Sequence, residues 1–213
     1  MDGLTLVLDA STYDGSAAVL GADGVIAERT IAMRGITEER LMPAVAEVLA
    51  AAGVRGGARG GLQRVVCGGG PGSFTSLRIA AGIAKGIGAG FDLPLFGVSS
   101  LHLAAAALVP GTYLLAMDAM REESYALAVT WDGGHVRELA ALRLLPDAAL
   151  EAYAASHGAA VVVAAPQARA AYAMLADIVE TGPVDRARWE PAYGRLAEAQ
   201  VKWEAAHGRP LGE

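Results

Sequence analysis

Apolar residues fall in short runs that alternate between two periods, and these runs mark out the elements. Leu4 to Leu8, apolar except for Thr5, reads as a buried strand ending at Asp9. Ser16 to Leu20 and Val25 to Ile31 read as a hairpin turning through Gly21-Ala22-Asp23-Gly24, where Asp-Gly is a strong turn signal. Leu41, Val45, Val48, Leu49 and Ala52 recur at helical spacing behind a candidate N-cap, Thr37, with Glu38 and Glu39 in the first turn. Pro43 must sit near that first turn, and glycines from Gly53 to Gly61 end the helix. Arg64 to Cys67 predicts a strand, Phe74 to Phe91 a long helix, Leu95 to Val98 a short strand, and Leu101 to Leu108 a helix capped by Ser99 or Ser100.

The second half repeats this order. Tyr113 to Met117 is a strand ending at Asp118, and Tyr125 to Trp131 and Val136 to Leu145 form a hairpin through Asp132-Gly133-Gly134. A helix from Asp147 to His157, a strand from Ala160 to Ala164 and a helix from Gln167 to Ala176 follow. A last helix from Arg195 to His207 stops at Gly208 and Pro210. Each half thus opens with a strand ending in Asp, continues as an antiparallel hairpin and then interleaves helices with strands. The pattern is a ribonuclease-H-like α/β unit occurring twice, a mixed sheet flanked by helices in each lobe. The division falls at residues 1–100 and 101–213.

Composition narrows the function classes. The chain has 213 residues, 54% of them hydrophobic, which suffices for a substantial core. No apolar run is long enough to cross a bilayer, and Asp9 interrupts the first one, so neither a membrane span nor a signal peptide is expected. One cysteine, Cys67, fits a reducing cytoplasm. The net charge of −6 disfavours a chain that grips nucleic acid by itself.

Two turns could carry chemistry. Asp9-Ala10-Ser11-Thr12 places a carboxylate and two hydroxyls at a strand end, where a metal-bound phosphate could sit; the plainer alternative is an Asp bonded within its own turn. The run Cys67-Gly68-Gly69-Gly70-Pro71-Gly72-Ser73-Phe74-Thr75 joins strand to helix, a geometry that cradles anions through amides at the helix start. It lacks the Lys-Ser/Thr pair of a Walker loop, and Thr75 stands where a dinucleotide fingerprint has its third glycine. Gly72, Ser73 and Thr75 could still hold phosphate, or the glycines could serve only a tight turn. His102, His135, His157 and His207 are scattered, so a zinc peptidase is disfavoured and no metal ligands are assigned. The helix after the loop carries Gly82, Gly86 and Gly90 at a four-residue period. Each costs about 1 kcal/mol relative to Ala, which suggests close approach of another helix, within the chain or from a partner. Leu77, Ile83 and Ile87 complete that candidate partner interface.

The run Gly70-Pro71-Gly72-Ser73-Phe74-Thr75-Ser76-Leu77-Arg78-Ile79 resembles the signature of the TsaB (YeaZ) family. Asp9 to Thr12, Gly97-Val98-Ser99-Ser100-Leu101, Asp118-Ala119 with Tyr125, and Pro191-Ala192-Tyr193-Gly194-Arg195 are similar to further family segments in the same order. The resemblance implies a two-lobed actin-like (ASKHA) fold. It also implies a non-catalytic subunit that stabilises and activates TsaD in making threonylcarbamoyladenosine at position 37 of ANN-decoding tRNAs. The implied partners are TsaD and TsaE, with a homodimer when alone and tRNA met only through the complex. No cofactor is expected on this chain alone; the complex uses ATP, and a nucleotide at the TsaB–TsaD interface is a candidate. Asp9, Ser11, Thr12, Gly72, Ser73 and Thr75 would then be a vestigial phosphate loop. Ser76, Ala80, Ala10 and Met120 depart from the family pattern, and Arg34 to Thr37 lacks a histidine common there. The alternatives are an active actin-like ATPase or kinase and, behind it, a glycopeptidase.

Overall fold

The computed structural model describes residues 3–33, 40–54, 61–194 and 207. The first sheet holds β1 (Leu4–Asp9), β2 (Asp14–Gly21), β3 (Gly24–Ala32), β4 (Leu62–Gly68) and β5 (Leu95–Val98) in the order β3-β2-β1-β4-β5. β1, β2 and β3 pair antiparallel, while β4 and β5 continue parallel to β1. α1 (Leu41–Ala51) and α2 (Phe74–Gly90) supply the connections that parallel pairing requires. Pro43 lies in the first turn of α1, where its missing N–H costs nothing. The expected cap at Thr37–Glu39 and the glycines from Gly56 to Gly60 lie outside the described residues.

The second sheet repeats the plan. β6 (Gly111–Asp118) pairs antiparallel with β7 (Glu123–Trp131) and parallel with β10 (Ala160–Val163). The predicted strand over Val136–Leu145 is broken into β8 (Val136–Glu138) and β9 (Arg143–Pro146), both antiparallel to β7. Glu138 lies opposite Val129 and Arg143 opposite Ala126, so residues 139–142 face only two residues of β7. The excess is accommodated as a bulge. The helix expected over Asp147–His157 is a 3-10 turn, Asp147–Ala149, leading into α4 (Leu150–Ser156). That expected over Gln167–Ala176 is a 3-10 turn, Ala168–Tyr172, separated from α5 (Leu175–Glu180). Here the amide of Ala168 donates to Ser16 Oγ at 2.9 Å, binding the turn to the first sheet. Of the predicted last helix only His207 is described.

Strand alternation distributes the core. Leu6 and Leu8 of β1 point to the α1/α2 side, together with Val65 and Cys67. Val7 points the other way, joining Val66, Leu101 and Leu103 of α3 (Ser100–Ala106), Leu115 and Leu127 of the second sheet, and Met174 and Ile178. The two sheets therefore share one central core built around α3 and α5. On the far side of the second sheet, Leu114, Ala126 and Ala128 pack on Ala154 of α4. Beyond α5 the chain returns to the first sheet: Val184 N–H donates to Leu95 O at 2.8 Å, and Arg186 donates to Gly88 O and Leu93 O. Among the described residues no helix is long and apolar enough to cross a membrane.

Candidate functional site

The turn after β1 and the glycine loop after β4 lie side by side, because β1 and β4 are parallel neighbours ending at the same level. Asp9 is fully buried at their junction. Its Oδ1 accepts the amide and hydroxyl of Ser11 at 2.9 and 2.7 Å, and its Oδ2 accepts the hydroxyl of Ser100 at 2.6 Å. Burial raises the pKa of Asp9 above the ordinary 3.8, partly offset by these three hydrogen bonds. A Cβ at Gly68 would overlap Asp9 Oδ2, so only glycine allows the carboxylate this position. The Cys67 thiol is held protonated by burial, with the Asp9 charge as the smaller cause.

Three amides of the loop are tied to neighbouring segments. Gly69 N–H donates to Val98 O at 2.7 Å, Gly70 N–H to Ser100 Oγ at 3.0 Å and Ser73 N–H to Ser11 O at 2.8 Å. Gly72, at φ +149°, lies against the carbonyl of Ser11, where a Cβ would overlap it. Ser73 Oγ and Ser76 Oγ are 3.0 Å apart, Thr12 Oγ1 donates to Asp14 O at 3.1 Å, and Thr75 faces solvent. Asp9, Ser11, Gly72 and Ser73 are thus brought together, but the Asp9 carboxylate is taken up by Ser11 and Ser100 and the Ser73 amide by the Ser11 carbonyl. Ser100 is the residue that sequence reasoning missed. It was expected, with Ser99, as a cap; Ser99 holds the N-cap position of α3, and the Ser100 side chain turns inward to Asp9.

The second strand-end carboxylate differs. Asp118 is exposed; its Oδ2 accepts the hydroxyl of Tyr13 from the first lobe at 2.8 Å, and its Oδ1 accepts Met120 N–H at 2.7 Å. Met120, Arg121 and Glu122 follow with φ of 67°, 63° and 60°. Non-glycine residues rarely adopt this conformation. The histidines are dispersed: His102 Nε2 is 2.9 Å from Glu138 Oε1, His135 lies near Asp132 and Asp177, and His157 bonds within its own turn. Among the described residues no three His, Cys, Asp or Glu side chains are grouped to hold a metal ion.

The α2 stripe is open. Gly82, Gly86 and Gly90 are exposed, and a Cβ at any of them would meet nothing within 4 Å. No helix among the described residues packs there. Two members of the expected interface face elsewhere: Leu77 is fully buried and Ile87 is 9% exposed, because both lie on the core side of α2. Ile83 is half-buried beside the glycines. At the N-terminal end of α2, Arg78 stacks over the Phe74 ring at 4.2 Å and its Nε donates to Tyr193 OH at 3.2 Å.

Two ribonuclease-H-like lobes, in which β10-β6-β7 repeats the order of β4-β1-β2 and a strand ends in Asp in each, define an actin-like fold. The family model described as TsaD, tRNA N6-adenosine threonylcarbamoyltransferase, matches residues 30–177, and the chain belongs to that family. The TsaB resemblance is borne out by its relatives. The chain is 40% identical over 111 residues to the tRNA threonylcarbamoyladenosine biosynthesis protein TsaB of Haemophilus influenzae, covering 50% of this chain and 44% of the relative. It is 37% identical over 101 residues to TsaB of Bacillus subtilis, covering 47% and 43%. It therefore spans less than half the length of the curated relatives it matches. In fold it is similar to YeaZ from Pseudomonas aeruginosa, with a TM-score of 0.74 at 24% identity over 91% of this chain and 100% of that one.

Proposed function

We propose that this chain is a non-catalytic partner subunit of the TsaD-containing complex that makes threonylcarbamoyladenosine at position 37 of ANN-decoding tRNAs. It stabilises and activates TsaD through the exposed face of α2, with TsaE joining the assembly, and self-associates when TsaD is absent. It works in the cytoplasm and meets tRNA only through the complex. ATP serves the complex, with a nucleotide at the interface between this chain and TsaD. The names of its TsaB relatives support the process.

The observation that carries the subunit reading is the open stripe of Gly82, Gly86 and Gly90 with Ile83, which has space for another helix and none within reach among the described residues. The Asp9 carboxylate, buried and already bonded to Ser11 and Ser100, favours a scaffold over a phosphate-transfer site.

The test uses Gly86→Leu and Gly82→Leu. Because each site is open, Leu should raise helix stability by about 0.5–1 kcal/mol while blocking close helix approach. The expected result is an equally or more stable chain that no longer co-purifies with TsaD and sediments as a monomer. Retained TsaD binding and self-association in both variants would overturn the interface. Robust ATP turnover by the isolated chain would overturn the non-catalytic role.

A further inference from the structure

A cleft of about 310 Å3 opens beside the glycine loop, between the two sheets. This is near the lower end of the ~300–1,000 Å3 typical of small-molecule sites. Its floor is backbone from Gly69 to Pro71 and Gly97. Its accessible walls are Trp189 and Leu142, with the buried Leu101 and Leu127 behind them. The indole is closely seated: a Cβ at Gly97 would lie 2.6 Å from Trp189 Nε1, and the backbone N–H of Trp189 donates to Asp185 O at 2.8 Å.

Among the described residues, the charged side chains that line the cleft are Glu138 and Glu190, and both are exposed. The floor offers little to an anion, because the amides of Gly69 and Gly70 already donate to Val98 O and Ser100 Oγ. Glu138 is oriented by His102 of α3 at 2.9 Å, through Oε1.

We propose that this cleft binds a small organic cation: a planar apolar body carrying an amidinium, guanidinium or ammonium group. The body lies between Trp189 and Leu142, where aromatic contact also favours a cation. The charged end is held by Glu138 and Glu190. The site is distinct from the α2 face, so its success or failure leaves the subunit reading untouched.

The probe is benzamidine, added to the full chain and followed by the indole 1H–15N resonance of Trp189, assigned by its loss in Trp189→Phe. A saturable shift at millimolar benzamidine is expected, with much weaker effects from neutral benzamide and anionic benzoate. The double variant Glu138→Gln/Glu190→Gln should weaken benzamidine by about fivefold and leave benzamide unchanged, with the fold verified by circular dichroism. Leu142→Arg, at a residue 39% exposed, should abolish benzamidine binding by placing a tethered guanidinium at the cleft. Absence of a saturable shift, benzamide or benzoate binding as tightly as benzamidine, or undiminished affinity in either variant would each overturn the proposal.

Discussion

Asp9 shows how much one side chain can conceal from its sequence neighbourhood. Its place at a strand end and its bond to Ser11 were both legible in Asp-Ala-Ser-Thr, since an Asp there commonly bonds the amide two residues on. Its third partner was not, because Ser100 lies 91 positions away and a serine opening a helix reads as a cap. The consequence is measurable. Burial raises the Asp9 pKa, so the folded chain holds this proton more tightly than the unfolded chain. The stabilising contribution of protonated Asp9 is complete below pH 3.8 and is lost as pH rises through its elevated folded value. Asp9→Asn keeps an acceptor for Ser11 and removes the titration. Urea denaturation across pH should therefore give a shallower decline above pH 3.8 in the variant than in the parent chain. Parallel profiles would show that the buried carboxylate carries no such linkage.

At the level of elements, α2 was legible because its buried residues recur at helical spacing, and β1, β2 and β7 because they are nearly continuous buried runs between turn signals. Periodicity missed the break between β8 and β9 for a definite reason. The four residues 139–142 oppose two on β7, an even excess that preserves which side chains face inward, so the alternation never changes phase. The helix expected over Gln167–Ala176 failed differently. Helical spacing cannot register an amide captured by Ser16 from 152 positions away. Glycines also look alike in a sequence and differ in the fold. Gly72 presses on the Ser11 carbonyl at φ +149°, whereas Gly82 faces open space. Gly72→Ala should destabilise the chain by about 2–4 kcal/mol, and Gly82→Ala should stabilise it by about 1 kcal/mol. Thermal or urea unfolding of both variants checks this, and equal shifts would contradict the contrast.

For the whole molecule, the duplicated plan was visible in the order of elements, but the sharing of a core was not. A halving of the chain near residue 100 suggests two separable lobes, yet Val7 and Val66 of the first sheet and Leu115 and Leu127 of the second lie in one cluster around α3. We expect one cooperative unfolding transition, with calorimetric and van't Hoff enthalpies in agreement. Two resolved transitions would mean that the lobes fold separately. The return of the chain after α5 has a further consequence, for synthesis. Ala192 N–H donates to Gly69 O at 2.7 Å, and Trp189 covers Gly97, so the floor and cover of one loop are encoded more than 90 residues apart. A ribosome that has delivered the whole first sheet has therefore delivered a unit still lacking its cover. The glycine loop can reach its final form only after nearly 200 residues have been translated, so its maturation is timed by the arrival of a distant stretch of chain rather than by its own emergence.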